Sequence, residues 1–200
     1  SGSMAGEPIA RLNAGLKQFR DQLKMDEQAQ KVVDICIIAF NNSATLLQDF
    51  TPLPSMQIPT LSANGRTSMG AAINMAIDRV KERCHLYDSL GTPRYQPWIF
   101  MMTDGVPTDD ISMARQRIQS EENSGKAGRL KFWSCGISNE AKDNIDFATL
   151  KSLSKRVIEL DNYDFSSLFQ WIGGSISIIS ASGVEGVYSE TTKYEELPDN

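Results

Sequence analysis

Residues 98–107 read WIFMMTDGVP, an unbroken apolar run that stops at Thr103 and is followed at once by Asp104, Gly105 and Pro107. Short, continuously apolar runs are typical of strands that are buried on both faces of a sheet. Glycine and proline directly after such a run mark a tight turn. The stretch therefore predicts a buried strand that carries an acidic side chain to its carboxyl end, which is where ligands collect in open α/β sheets.

The rest of the chain alternates helical and strand patterns around this stretch. Apolar residues spaced three and four apart predict helices at 7–23 and 69–84, the second with Thr67 as its N-cap. Further patterns predict strands at 32–40, 44–50, 130–137 and 157–160, and helices at 109–122, 147–153 and 165–180. Because such alternation produces parallel strands with right-handed crossovers, we predict a doubly wound α/β domain with a mostly parallel central sheet and helices on both faces.

Length and charge bound the domain organisation and the partners. A chain of 200 residues with 40% hydrophobic and 22% charged residues suits a globular domain, which we place at residues 1–182, and it contains no membrane-spanning apolar stretch. Residues 183–200 are acidic, and we predict a disordered tail there. A formal charge of −5 without a basic patch argues against a nucleic-acid partner. No oligomeric state follows from the sequence.

Cysteine and histidine usage excludes several kinds of site. The three cysteines, Cys36, Cys84 and Cys135, form no C-x-x-C pair, and His85 is the single histidine. A disulfide framework and a multi-histidine zinc site are therefore not indicated, and a reducing, cytoplasmic compartment fits best. The pentapeptide of a serine-hydrolase nucleophile elbow does not occur either. We expect a protein that is not an enzyme.

Three short segments carry oxygen ligands to the predicted carboxyl edge of the sheet. They are residues 1–4 (SGSM), residues 65–67 (GRT) and residues 103–105 (TDG). Hydroxyls, carboxylates and water are the ligands that a small hard dication such as Mg²⁺ requires. A glycine in each segment allows the backbone to turn sharply beside the ligand. The segments therefore predict an oxygen-only cation site with an open position.

These segments resemble the motifs of von Willebrand factor A (vWA) domains. Residues 1–4 look like the second half of the D-x-S-G-S motif, Thr67 falls where the second motif places a threonine, and residues 103–105 look like the third motif. Together the three motifs make up the metal-ion-dependent adhesion site (MIDAS) of that family. Residues 6–9, 98–105 and 164–171 look most like the bacterial tellurium-resistance-type members, which are intracellular and associated with stress signalling.

The resemblance implies a ligand set and a function. Ser1 and Ser3 would bind Mg²⁺ or Mn²⁺ through their hydroxyls, Thr67 would bind it directly or through water, and Asp104 would act mainly through water. A glutamate or aspartate carboxylate from a protein partner would fill the remaining position. The function implied is that of a metal-ion-dependent protein-binding module.

The chain departs from the family pattern at its start. The first motif begins with an aspartate two positions before Ser1, at the end of a central strand, and neither is present here. The sheet is therefore expected to lack its first strand, and we expect the natural protein to have an upstream segment that ends in Asp-x.

Other interpretations of the same residues stay open. The Ser1–Ser3 stretch also matches a common cloning-vector remnant, with Met4 as the start, while Thr67 alone suits a helix N-cap and Asp104-Gly105 suits a plain turn. An Asp after a buried strand also occurs in Mg²⁺-dependent phosphohydrolases of the haloacid-dehalogenase type, but the required second aspartate two residues away is lacking here. A scaffold without metal is the third alternative.

Overall fold

Helices and strands alternate through residues 2–124, 129–138 and 146–182, which are the residues that this computed structural model describes. The helices are α1 (Glu7–Leu23), α2 (Glu27–Val32), α3 (Met69–Ser89), α4 (Ser112–Glu122), α5 (Phe147–Leu153) and α6 (Phe165–Ser182). The strands are β1 (Asp34–Phe40), β2 (Ala44–Pro52), β3 (Trp98–Thr103), β4 (Lys131–Ile137) and β5 (Arg156–Leu160). None of these helices is both long and apolar enough to cross a bilayer. The predicted acidic tail at 183–200 lies outside the described residues.

The described strands pair in two sheets. β1 and β2 are antiparallel, with Phe40 opposite Ala44 at the hairpin end. β3, β4 and β5 form a parallel sheet in that order. The first sheet is antiparallel and the second parallel because of their connections. A short turn can only join antiparallel neighbours, whereas β3, β4 and β5 are linked through helices. The predicted α/β class is confirmed, and the single sheet expected from the sequence is divided in the described part of the chain.

The core consists of two apolar clusters on opposite faces of β4. Adjacent residues of this strand point in opposite directions, so that Trp133 joins one cluster and Phe132 the other. The first cluster includes Leu23 of α1 and Leu168 of α6, together with partly buried side chains of β1 and β3. The second includes buried side chains of α3, α4 and α5, among them Ile73, Ile77, Ala114, Ile118, Leu150 and Leu153. Helices therefore cover both faces of the parallel sheet.

The starts of α3 and α4 differ from the sequence-based prediction. The N-cap of α3 is Ser68, so Thr67 lies one residue before the helix cap, and the prediction that Thr67 caps α3 is wrong. Helix α4 begins at Ser112, whose N–H bonds to Asp110 Oδ1. The prediction that Asp109 opens this helix is also wrong, because its carboxylate accepts hydrogen bonds from the backbone of α3 instead.

Cys135 is buried, whereas Cys36 and Cys84 are partly exposed. Burial raises the pKa of Cys135 to about 12. The pKa of Cys36 is raised to about 11, chiefly by burial and then by the charge of Asp49. Burial also raises the pKa of Cys84. Since the thiolate is the reactive form, all three cysteines are poor nucleophiles at neutral pH.

The first cluster gives a direct test of the core. Leu168 is 0% exposed and Leu90 is 68% exposed. We expect Leu168→Ala to lower the free energy of unfolding by about 2–5 kcal/mol, because the substitution leaves a cavity between α6 and its neighbours. Leu90→Ala should change it by less than about 0.5 kcal/mol. Urea unfolding followed by circular dichroism measures both, and equal effects would contradict this assignment of the core.

Candidate functional site

Ser3 and Asp104, which lie 101 positions apart in the sequence, meet at the carboxyl end of β3. The Ser3 hydroxyl donates a hydrogen bond of 2.8 Å to Asp104 Oδ1. Ser3 lies in a short 3₁₀ turn, Gly2–Met4, that buried Met4 anchors to the core ahead of α1. Ser1, the other serine of the predicted ligand set, lies outside the described residues. The structure thus brings together the first and third of the segments singled out from the sequence.

The turn that carries Asp104 is fixed by the residue before it. Thr103 Oγ1 donates to the carbonyl of Gly105 at 3.1 Å and accepts from the N–H of the same residue at 3.3 Å. Such a local hydroxyl-to-backbone pair closes a tight turn. Asp104 at the tip of this turn is only 9% exposed. Its carboxylate is therefore held at the rim of the sheet rather than free in solvent.

The segment that carries Thr67 is held by hydrogen bonds from both sides. Gly2 N–H donates to the carbonyl of Gly65 at 3.0 Å, which joins this segment to the Ser3 turn. On the other side, Asn42 Oδ1 accepts from Arg66 N–H at 3.0 Å, and the carbonyl of Asn41 accepts from Ser68 N–H at 2.9 Å. The sequence-based predictions gave no role to Asn41 or Asn42. Asparagine oxygens after a strand commonly accept backbone N–H groups, so a role for these residues in holding a turn could have been predicted. Nothing in the sequence indicated that the N–H groups would come from the Thr67 segment.

The third predicted hydroxyl faces the same point. A Cβ placed on Gly105 would lie 3.9 Å from Ser3 Oγ and 3.9 Å from Thr67 Oγ1, so both hydroxyls border the same point beside Gly105. Thr67 is only 5% exposed, and its hydroxyl makes no hydrogen bond to any residue that the structure describes. A hydroxyl without a protein partner can bond water or a ligand. Ser3, Thr67 and Asp104 therefore form one cluster, which we call the rim site.

The rim site offers oxygen ligands, with a single carboxylate among the described members. Within residues 2–124, 129–138 and 146–182, no group of three His, Cys, Asp or Glu side chains could hold an ion in the manner of a zinc or EF-hand site. Hydroxyls are neutral ligands, so a dication held by them would keep most of its charge. Such an ion attracts an outside carboxylate more strongly than one that is neutralised by several acidic side chains.

Solved structures share this architecture. The von Willebrand factor domain of the type V pili tip protein Mfa5 from Porphyromonas gingivalis is 14% identical, with a TM-score of 0.54 over 96% of this chain and 95% of that one. The chain has a vWA fold. VWA2, the ArnB paralog from Sulfolobus acidocaldarius, is 16% identical with a TM-score of 0.49. That match covers 88% of this chain and 42% of VWA2, so the chain spans less than half of that protein.

No protein-family model matches the chain, and no curated protein matches it significantly.

Two glycines with nearly the same backbone angle test how Asn42 holds the Thr67 segment. Gly65 has φ +66° and Gly91 has φ +63°, so alanine at either position costs about 1–2 kcal/mol of backbone strain. Only at Gly65 would the new Cβ meet Asn42 Oδ1, at 2.6 Å. We expect Gly65→Ala to be the more destabilising in urea unfolding by about 0.5–1.5 kcal/mol, because Asn42 must give up its bond to Arg66. Equal losses would show that Asn42 does not hold this segment.

Proposed function

We propose that this vWA domain is a metal-ion-dependent protein-binding module. A divalent cation, Mg²⁺ or Mn²⁺, occupies the rim site, and a glutamate or aspartate of a protein partner completes its coordination. The observation that carries the proposal is the convergence of Ser3, Thr67 and Asp104 from three distant segments on one point beside Gly105.

The residues of the rim site fit a hard cation. The Thr67 hydroxyl has no hydrogen-bond partner among the described residues, so a ligand there would satisfy it rather than displace one. Ser3 donates to Asp104, and its hydroxyl oxygen keeps lone pairs with which it could bind an ion. In this proposal Ser1 and Ser3 hold the cation through their hydroxyls, Thr67 holds it directly or through water, and Asp104 holds it mainly through water. The bound cation supplies the positive charge that a partner carboxylate recognises.

We propose binding rather than catalysis for this site. A phosphohydrolase of the haloacid-dehalogenase type needs a second aspartate two residues from the first, and Met102 and Val106 flank Asp104 at that spacing. Hydrolysis of a generic aryl phosphate in the presence of Mg²⁺, abolished by Asp104→Ala, would instead favour the enzyme. A scaffold that binds no metal is the remaining alternative, and it predicts indifference to both ions.

We also propose a cytoplasmic setting in bacterial stress signalling of the tellurium-resistance type. Support for this setting comes from the sequence alone, through the resemblance at residues 6–9, 98–105 and 164–171.

Manganese titration tests the metal site directly. Thr67→Ala removes one proposed ligand, and we expect it to weaken Mn²⁺ binding by about tenfold, the loss of one ligand being worth roughly 1–2 kcal/mol. Asp104→Asn removes the carboxylate charge and should weaken binding at least as much. The decrease of the free Mn²⁺ signal in electron paramagnetic resonance gives the dissociation constants.

Thr67→Ser is the matched control for the threonine, because it keeps the hydroxyl and removes only a methyl group. It should bind Mn²⁺ nearly as well as the unaltered protein. If the unaltered protein, Thr67→Ala and Asp104→Asn all leave the free Mn²⁺ signal unchanged, the chain is not a metal-dependent binder.

A further inference from the structure

The Asp109 carboxylate reaches across to the first turn of α3. Its Oδ1 accepts the N–H of Gly70 at 3.1 Å and its Oδ2 accepts the N–H of Ala71 at 2.9 Å. These are among the backbone donors that a helix leaves unsatisfied at its start. The side chain of Ser68, the residue in the N-cap position, makes no capping hydrogen bond. Asp109 thus caps α3 from a loop that is distant in the sequence, whereas an N-cap side chain normally belongs to the residue at the helix start.

The residue before Asp109 holds the backbone of Thr67 on both sides of its Cα. Thr108 N–H donates to the carbonyl of Thr67 at 2.9 Å, and Thr67 N–H donates to Thr108 Oγ1 at 3.1 Å. With the two bonds of Asp109, four hydrogen bonds tie residues 108–109 to residues 67–71. We call this set of contacts the strap.

The strap lies at a close approach of two backbones. A Cβ on Gly70 would meet the carbonyl oxygen of Asp110 at 2.4 Å, so only glycine allows the loop to come this near to α3. The loop between β3 and α4 carries Asp104 near its start. Near its end it contacts the first turn of α3, which closely follows Thr67 in the sequence.

Two neighbouring aspartates have different roles here. Asp110 Oδ1 accepts from Ser112 N–H at 2.8 Å and stabilises the start of α4. Both carboxylate oxygens of Asp109 accept backbone N–H groups of α3, so Asp109 acts on the neighbouring segment and not on its own helix. This difference makes Asp110 a matched control for Asp109 in sequence position and in charge.

We propose that Asp109 is a positioning residue of the rim site, which with Thr108 sets the place of the Thr67 hydroxyl relative to Asp104. The inference rests on the proposed metal-binding function and adds to it a residue that acts through Thr67 without touching the ion. Asparagine at position 109 keeps one acceptor oxygen and turns an amide donor toward a backbone N–H, which releases the first turn of α3.

The test measures the affinity of the full chain for Mn²⁺ by electron paramagnetic resonance, at a temperature where circular dichroism shows every variant folded. We expect Asp109→Asn to raise the dissociation constant about tenfold, as is typical when a group that orients a metal ligand is lost. Asp110→Asn removes the same charge at the adjacent position and should leave the dissociation constant within about twofold of that of the unaltered protein.

A double-mutant cycle separates positioning from general loss of stability. In the Thr67→Ala background, Asp109→Asn should raise the dissociation constant by no more than about twofold, since the group it positions has gone. Thr108→Val and Thr108→Ser give a second, independent comparison, because valine removes the acceptor for Thr67 N–H and serine keeps it. Thr108→Val should weaken Mn²⁺ binding, whereas Thr108→Ser should bind Mn²⁺ nearly as well as the unaltered protein.

Four results would overturn the inference. Unchanged Mn²⁺ affinity in Asp109→Asn would remove Asp109 from the site while leaving the metal-binding proposal intact. Equal losses in Asp109→Asn and Asp110→Asn, or a full loss from Asp109→Asn in the Thr67→Ala background, would show a general effect of charge or stability. If the unaltered chain does not bind Mn²⁺, the proposed function fails and the positioning role fails with it.

Discussion

The hydrogen bond from Ser3 to Asp104 depends on the position of three loops that belong to different parts of the chain. Thr103 closes the turn that carries Asp104, and the other two loops are held by contacts with neighbouring loops. The Ser3 turn bonds through Gly2 to the carbonyl of Gly65, and the Thr67 segment bonds to Asn42 on one side and to Thr108 on the other. The rim site is thus a consequence of contacts between loops, while the sheet and its helices only bring the loop ends near one another.

The fold was predictable because it depends on periodic patterns that each segment carries by itself. Trp133 and Phe132 illustrate this, since neighbouring apolar residues in a short run indicate a strand covered on both faces, and the structure places them in separate clusters. The three candidate segments were also predictable, because strand ends and helix starts on one edge of a parallel sheet converge. The short helix α2 was missed, since six residues carry too little periodicity to be recognised.

The contacts that hold the rim site could not be predicted from the sequence. Acidic residues are common in the first turn of a helix, but the prediction that Asp109 opens α4 was wrong because its hydrogen-bond partners lie 38 and 39 residues earlier. The same applies to Asn42 and Arg66, which are 24 positions apart. Local patterns rank the chemical types that suit a turn or a cap, but the identity of a distant partner depends on the packing of whole elements.

The chemistry of their partners also distinguishes Asp104 from Asp109 as an ion ligand. Asp109 accepts backbone N–H groups with both oxygens, so binding an ion there would take away the hydrogen-bond acceptors of two N–H groups in the first turn of α3. Asp104 accepts from the hydroxyl of Ser3, and a hydroxyl can rotate to present a lone pair instead of its proton. The contact of Ser3 with Asp104 can therefore be exchanged for contacts to a cation without breaking a helix start. This asymmetry favours Asp104 as the carboxylate of the site and leaves Asp109 to hold the surrounding backbone in place.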